Sequence, residues 1–125
     1  MMEFRLEKLR KALLQSYDKS IAHPEWQSGW TKENPTHGCC VPTALIVQDY
    51  FGGDVYKHNV RRHYYNFING EFIDLTRDQF NEEIDYKNGT KKHPSMDKNN
   101  AQWRYETLKN RVEKIIEVEE ARAND

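Results

Sequence analysis

Apolar side chains recur every three or four residues near both ends of the chain, with charged residues between them. This spacing predicts one helix over residues 3–19 and another over residues 100–121. The apolar stripe of the first helix consists of Leu6, Leu9, Leu13 and Tyr17. The narrower stripe of the second consists of Trp103, Leu108, Val112, Ile115 and Ile116. Both ends are therefore expected to be amphipathic helices.

The least polar part of the chain lies between Cys39 and Gly53, where Asp49 is the only charged residue. Pro42 suits the first turn of a helix because an N–H would be unpaired there anyway, and the closing Gly-Gly pair suits a C-terminal cap. The pattern predicts a mostly buried helix at about 41–51. Its β-branched content leaves a strand as the alternative for part of it.

A hairpin is the clearest short-range feature of the sequence. Asn69-Gly70 separates two runs rich in aromatic and β-branched residues, which predicts a type I′ turn in which Ile68 faces Glu71. Because side chains alternate along a strand, one face then carries His63, Tyr65, Phe67, Phe72, Asp74 and Thr76. A short edge strand is expected just before the hairpin, at residues 54–56.

The other segments lack a sustained period. Residues 21–38 contain two prolines and two glycines and are expected to form an irregular loop pinned by Trp26 and Trp30. Residues 77–86 are expected to form a short helix or turn, and residues 87–99 a loop.

Length and composition indicate a single folded domain over residues 1–125. The chain has a mass of 14.9 kDa and a formal charge of −1, and 12% of its residues are aromatic. A disordered chain would carry a larger net charge and fewer aromatic residues. The sequence is therefore expected to fold as a small polar domain.

Charge distribution excludes several classes of function. No stretch is apolar enough for a membrane span, and charges interrupt the region that would have to be apolar in a signal peptide. We therefore expect a cytoplasmic protein that does not bind membranes. Basic residues form no run longer than Arg61-Arg62 or Lys91-Lys92, so nucleic-acid binding is not expected. The apolar edge of the last helix is compatible with a monomer or a weak homodimer.

Cys40, His63 and Asp74 are the polar residues that the hydrophobic pattern does not explain. A cysteine at a helix N-terminus is favoured as thiolate, an imidazole can exchange protons with it, and a carboxylate can orient that imidazole. The predicted register places Asp74 diagonally opposite His63, within reach of its side chain. The three residues are thus a candidate catalytic triad, although each is also compatible with a purely structural role in the core or a turn.

Adjacent cysteines need an explanation of their own. Cys39 and Cys40 enclose almost no loop, so a structural disulfide between them is not expected in a reducing compartment. A zinc site built from His37, Cys39, Cys40 and His63 is an alternative, but adjacent cysteines do not match the paired spacing of structural zinc ligands. No cofactor or metal is therefore expected. The remaining histidines, which have no identifiable partner, are expected at the surface: His23, His58 and His93.

Three longer motifs resemble the YunG-like family of small bacterial proteins. They read G-x-C-x-x-T-A-L-x-V-Q-D-Y-F-G-G at 38–53, H-Y-x-N and G-x-x-I-D-L-T-R-x-Q-F at 63–66 and 70–80, and W-T-x-E-N-P at 30–35. The matching region spans about residues 26–80 and leaves the C-terminal helix outside.

The resemblance implies an α+β fold with a reduced papain-like, or transglutaminase-like, core. A helix that bears the cysteine would pack on a small antiparallel sheet that bears His63 and Asp74, flanked by an N-terminal and a C-terminal helix. It also implies that Cys40, rather than Cys39, occupies the nucleophile position, but it implies no substrate. If the triad is catalytic, its chemistry predicts acyl transfer from an amide or thioester of a peptide or protein. A peptidase, isopeptidase, amidase or transglutaminase would share this chemistry.

Relatives that this chain resembles often carry glutamine immediately before the nucleophile, where this chain has Cys39. If that glutamine stabilises an oxyanion, other donors must serve here: the backbone N–H of Cys40, the Trp30 indole or the Asn34 amide.

A non-catalytic module that binds a peptide or protein on an inactive papain-like scaffold is the main alternative to an enzyme. Its binding surface, if these residues are not core, would be formed by Trp26, Trp30, Tyr64 and Tyr65.

Overall fold

The computed structural model describes residues 2–92 and 95–123, with side chains for residues 2–92 and 101–123. Within them, the helices are α1 (Met2–Ser16), α2 (Cys40–Phe51) and α3 (Ser95–Ala123). The strands are β1 (Asp54–His58), β2 (Tyr64–Ile68), β3 (Glu71–Ile73) and β4 (Gly89–Lys92). Short 3-10 turns cover Lys19–Ile21, Pro24–Gly29 and Arg77–Gln79. The fold is mixed α+β with one small antiparallel sheet.

The sheet has the strand order β3-β2-β1-β4. Ile68 pairs with Glu71 as the turn predicted, and Asn69 and Gly70 both have positive φ, at 51° and 81°. The predicted strand at 54–56 is confirmed as part of β1, but its placement at an edge of the sheet is wrong. β4 lies in the segment expected to be a loop and pairs with β1, with Val55 opposite Lys92, so β1 is an interior strand.

Two of the three helices follow the predicted spans closely. α1 ends at Ser16, and the hydroxyl of buried Tyr17 lies 2.7 Å from the hydroxyl of Thr43 on α2. α2 begins at Cys40, and at its end the Gly52 N–H donates to the Gln48 carbonyl while Gly52 adopts a φ of 74°. The segment with β-branched residues is therefore helical throughout.

The third helix is longer than predicted, and four of the five residues of its expected stripe pack on the core: Leu108, Val112, Ile115 and Ile116. α3 begins five residues earlier, at Ser95, and the prediction that Trp103 faces the core is wrong because its side chain is 59% exposed. Ala101, Tyr105, Leu108 and Val112 form the buried stripe, with Arg104 beside them. These buried positions are three or four residues apart, as on one face of a helix. Position 103 does not follow that spacing, so its side chain lies outside the buried face.

The core lies between the sheet and the helices. α2 packs on β1 and β2 and also contacts α3, which in turn packs along α1. One hydrophobic cluster joins these elements, and its fully buried members include Leu9, Leu13, Ile46, Val47, Ile68, Leu108 and Val112. This arrangement holds the first residue of α2 against the sheet. No helix in the described part of the chain has the length and apolar content needed to cross a membrane.

Replacing Gly70 by alanine should destabilise the protein by about 1–2 kcal/mol. An added Cβ would meet no atom within 4 Å, so the cost arises from the φ of 81° rather than from a clash. Urea unfolding measures the change in the free energy of unfolding. Gly70→Asn should lower that free energy less than Gly70→Ala, because asparagine tolerates a left-handed backbone conformation. Equal losses for the two variants would contradict this explanation.

Candidate active site

The two adjacent cysteines occupy different environments. Cys40 is the first residue of α2 and is 7% exposed, whereas Cys39 is fully buried with its Sγ 3.5 Å from the His37 carbonyl oxygen. Burial raises the pKa of the Cys39 thiol to about 12. Both cysteines are free thiols. Cys39 is therefore held as a neutral thiol, and Cys40 is the thiol that reaches the surface.

His63 and Asp74 meet at the end of the hairpin. His63 lies immediately before β2 and Asp74 immediately after β3, and His63 Nε2 is 2.6 Å from Asp74 Oδ2. The His63 side chain is fully buried, and that of Asp74 is 4% exposed. The carboxylate also accepts hydrogen bonds from the Tyr86 hydroxyl at 2.9 Å and from the Thr76 N–H at 3.2 Å. These bonds hold the carboxylate in position behind the imidazole.

The charge of His63 follows from competing effects. Burial lowers the pKa of His63, but hydrogen bonding to Asp74 and Cys40 and their negative charges outweigh it and raise the pKa to about 9. The imidazole is therefore protonated at neutral pH. Its second nitrogen, Nδ1, is buried and makes no hydrogen bond of ordinary geometry to a described residue. Cys40 therefore influences the imidazole without an ordinary hydrogen bond to Nδ1.

Two aromatic rings fix the plane of the His63 ring. Tyr65 stacks on it with the ring centroids 5.9 Å apart, and Phe80 meets it edge-on at 4.7 Å. Tyr65 is itself held because its hydroxyl donates to the Tyr86 carbonyl at 2.7 Å. The imidazole thus cannot rotate freely away from Asp74.

The residues suggested as oxyanion donors lie elsewhere. The Trp30 indole N–H donates to the Pro35 carbonyl at 2.8 Å, and neither Trp30, Asn34 nor Cys39 lines the cavity beside Cys40. Trp30 and Asn34 therefore do not line this cavity, and Cys39, at the position where relatives carry glutamine, has its thiol directed to the Pro35 and His37 carbonyls. The backbone N–H of Cys40 remains, since the first turn of a helix leaves its N–H groups unpaired.

Gln79 is a residue that the sequence reasoning missed. Its Oε1 accepts a hydrogen bond from the Gly38 N–H at 3.1 Å, and its Nε2 is buried with no partner among the described residues. Gly38 lies two residues before Cys40 and lines the same cavity. Gln79 belongs to the R-x-Q-F motif that follows Asp74. That motif was the one feature of the sequence that could have indicated its place near the site.

A cavity of about 60 Å³ opens beside Cys40. Its other lining residues are His23, Trp26, Gly38, Val41, Arg62, Tyr64 and Arg104. The expectation of a surface His23 without a role is wrong, since it borders this cavity and its pKa is lowered by burial and by the two arginines. Of the aromatic set considered as a peptide-binding surface, Trp26 and Tyr64 line the cavity and Tyr65 belongs to the core.

Two other histidines, His58 and His93, were also expected at the surface. His58 is buried rather than exposed, and its Nδ1 accepts hydrogen bonds from the N–H groups of Val60 and Arg61, each at 3.1 Å. It therefore holds the turn between β1 and β2. His93 lies outside the described residues.

The zinc alternative does not match the geometry. Among the side chains of residues 2–92 and 101–123, no three His, Cys, Asp or Glu side chains are grouped so that they could hold a metal ion. His37 packs against the Trp26 ring, with the centroids 5.3 Å apart, and Cys39 faces backbone carbonyls. His37, Cys39 and Cys40 thus do not converge on one point.

Comparisons with known proteins place this site within a family. The family model of the YunG protein matches residues 5–117. The chain is 35% identical to YunG of Bacillus subtilis (strain 168) over 104 residues, which cover 80% of this chain and 86% of the relative. No solved structure matches the chain. The match extends well beyond residues 26–80 and includes most of α3, so the expectation that the C-terminal helix lies outside the family region is wrong. The chain belongs to the YunG family.

Proposed function

We propose that this protein is a cysteine-dependent acyl-transfer enzyme that acts on an amide or thioester through Cys40, His63 and Asp74. The observation that carries the proposal is the fully buried His63, whose Nε2 lies 2.6 Å from Asp74 Oδ2 and whose pKa is raised, despite burial, by Asp74 and the neighbouring Cys40. A buried imidazolium between a carboxylate and a cysteine is suited to stabilise a thiolate and then to give up its proton.

The reaction would proceed in two halves. The Cys40 thiolate attacks the carbonyl carbon, and the resulting oxyanion accepts a hydrogen bond from the unpaired Cys40 N–H. When the C–N or C–S bond breaks, His63 transfers its proton to the leaving amine or thiol, which leaves an acyl thioester on Cys40. Neutral His63 then takes a proton from water or an amine, which attacks the thioester and releases the acyl group. Asp74 keeps the imidazole in one orientation throughout.

The arrangement of elements supports the finer description of the fold as papain-like or transglutaminase-like. The cysteine begins α2, which packs on an antiparallel sheet, and the histidine and aspartate follow on neighbouring strands in the chain order Cys, His, Asp. Fold similarity alone does not establish an activity, so the proposal depends on the chemistry of Cys40.

Alkylation kinetics test the proposal. Iodoacetamide at pH 6 should modify Cys40 at least about tenfold faster than a free thiol, because a free thiol is almost entirely protonated at that pH. The site of modification is read by mass spectrometry of the digested protein. Cys40→Ser should abolish the fast reaction, and His63→Ala should slow it to the rate of a free thiol.

Cys39→Ser is the matched control, because it removes the neighbouring thiol and leaves Cys40 in place. It should not change the rate of the fast reaction. Equally slow labelling of the wild type, His63→Ala and Cys39→Ser would refute the enzyme proposal and leave a binding module.

A further inference from the structure

The cavity beside Cys40 continues into a second cavity of about 190 Å³. The two cavities share His23, Val41, Arg62, Tyr64 and Arg104. Lys57 borders the second cavity and Cys40 the first, so together they form a cleft that leads from the thiol to the lysine. We call this the basic cleft.

The lining of the basic cleft carries positive charge without a matching carboxylate. Arg62, Arg104 and Lys57 all border it, and neither cavity is lined by an aspartate or glutamate of the described residues. Glu25 binds Arg62 at 2.8 Å, but both of these side chains are more than half exposed. Such an exposed ion pair is weak, so another anion can replace Glu25 at Arg62.

Arg104 is the unusual member of this set. It is 7% exposed, and its Nη1 donates to the Ile21 carbonyl oxygen over a long distance of 3.3 Å. No carboxylate in the described part of the chain forms an ion pair with it. A guanidinium has five N–H donors, and burying its charge without a counter-ion is costly. The fold therefore maintains a cation that has no carboxylate partner among the described residues in the same small cavity as the candidate nucleophile.

We infer that Arg104 binds a carboxylate of the substrate, so that the enzyme acts on acyl groups bearing a negative charge a few bonds from the reacting carbonyl. This inference rests on the proposed function. The planar fork of a guanidinium matches the two oxygens of a carboxylate. Because Cys40 and Arg104 border one cavity of about 60 Å³, the carboxylate and the carbonyl must be close together in the substrate. Arg62 and Lys57 strengthen the attraction from the outer part of the basic cleft.

Two alkylating reagents of nearly equal size test this inference. Iodoacetate carries a carboxylate, whereas iodoacetamide is its neutral analogue, and both react with a thiolate by displacement of iodide. We measure both rate constants for Cys40 and take their ratio. Since the His63 imidazolium also attracts the anion, the informative quantity is the change of this ratio when Arg104 is replaced.

Arg104→Gln should lower the iodoacetate-to-iodoacetamide ratio about tenfold, the effect expected for loss of one charge-assisted hydrogen bond. Because Arg104 also carries its charge in the same cavity as Cys40, the rate with iodoacetamide reports any change in the reactivity of the thiol itself, and the ratio removes that change. Arg111→Gln is the matched control, because Arg111 lies two turns further along α3 and donates to the Ser16 carbonyl at 2.9 Å. It borders neither cavity of the basic cleft, so the ratio should stay at the wild-type value.

A second variant keeps the inference testable if Arg104→Gln does not fold. The Arg62 side chain is 59% exposed, and Arg62→Gln should fold and lower the ratio about threefold. Slow labelling of wild-type Cys40 by both reagents would refute the proposed function itself. Fast labelling with a ratio that neither Arg104→Gln nor Arg62→Gln changes would overturn only the carboxylate specificity.

Discussion

Replacing Asp74 by asparagine should destabilise the folded protein by about 3 kcal/mol at pH 7. Asparagine has nearly the same shape and can still accept the Thr76 N–H, but it removes the negative charge 2.6 Å from His63 Nε2. The fully buried imidazole must then either lose its proton or remain as an unpaired cation. Both outcomes reduce the free energy of unfolding.

Chemical unfolding in urea measures this loss, with the midpoint and slope compared between variants. Asp78→Asn is the matched control because Asp78 lies four residues later, is exposed, and undergoes the same chemical change. It should alter the free energy of unfolding by less than about 0.5 kcal/mol. Equal stability of the two variants would mean that the contact between His63 and Asp74 contributes nothing to the fold.

The hairpin and the start of α2 could be predicted because their signals are local. Asn69-Gly70 determines a turn, the turn sets the register, and the register brings His63 and Asp74 to one end of neighbouring strands. Pro42 likewise marks the first turn of α2 and thereby places Cys40 at its N-terminus. These features depend on residues that are close in sequence.

The features that were missed depend on distant contacts. β4 has the sequence Gly-Thr-Lys-Lys and no apolar alternation, so nothing in it indicates pairing with β1. Arg104 lies on the buried side of α3, but an apolar-stripe argument favours Trp103, and only the packing of α3 on α1 and α2 settles the rotation. The basic cleft could therefore not be predicted from the sequence.

Stability should also depend on pH in a direction set by His63. The folded pKa is raised to about 9 from an unfolded value of about 6.5. The proton is thus bound more tightly in the folded state. Its contribution to stability is fully present below about pH 6.5 and is lost as the pH rises through about 9. Each unit by which the pKa is raised is worth about 1.4 kcal/mol.

The Cys40→Ser background isolates this effect, because the thiol otherwise titrates in the unfolded chain at about pH 8.5. In that background Asp74 still raises the His63 pKa, although less than Asp74 and Cys40 do together, so the free energy of unfolding should fall as the pH rises above about 6.5. Adding Asp74→Asn leaves burial as the main influence, and burial lowers the pKa of an imidazole.

The double variant Cys40→Ser/Asp74→Asn should therefore gain stability, relative to Cys40→Ser, as the pH rises through about 6.5. Apart from Asp74 itself, the titrating groups are common to both variants, so the change with pH in the difference between their unfolding free energies reports mainly on His63. Urea unfolding at half-unit steps from pH 5.5 to 9.5 would measure that difference. Parallel curves for the two variants would show that Asp74 does not hold the His63 proton.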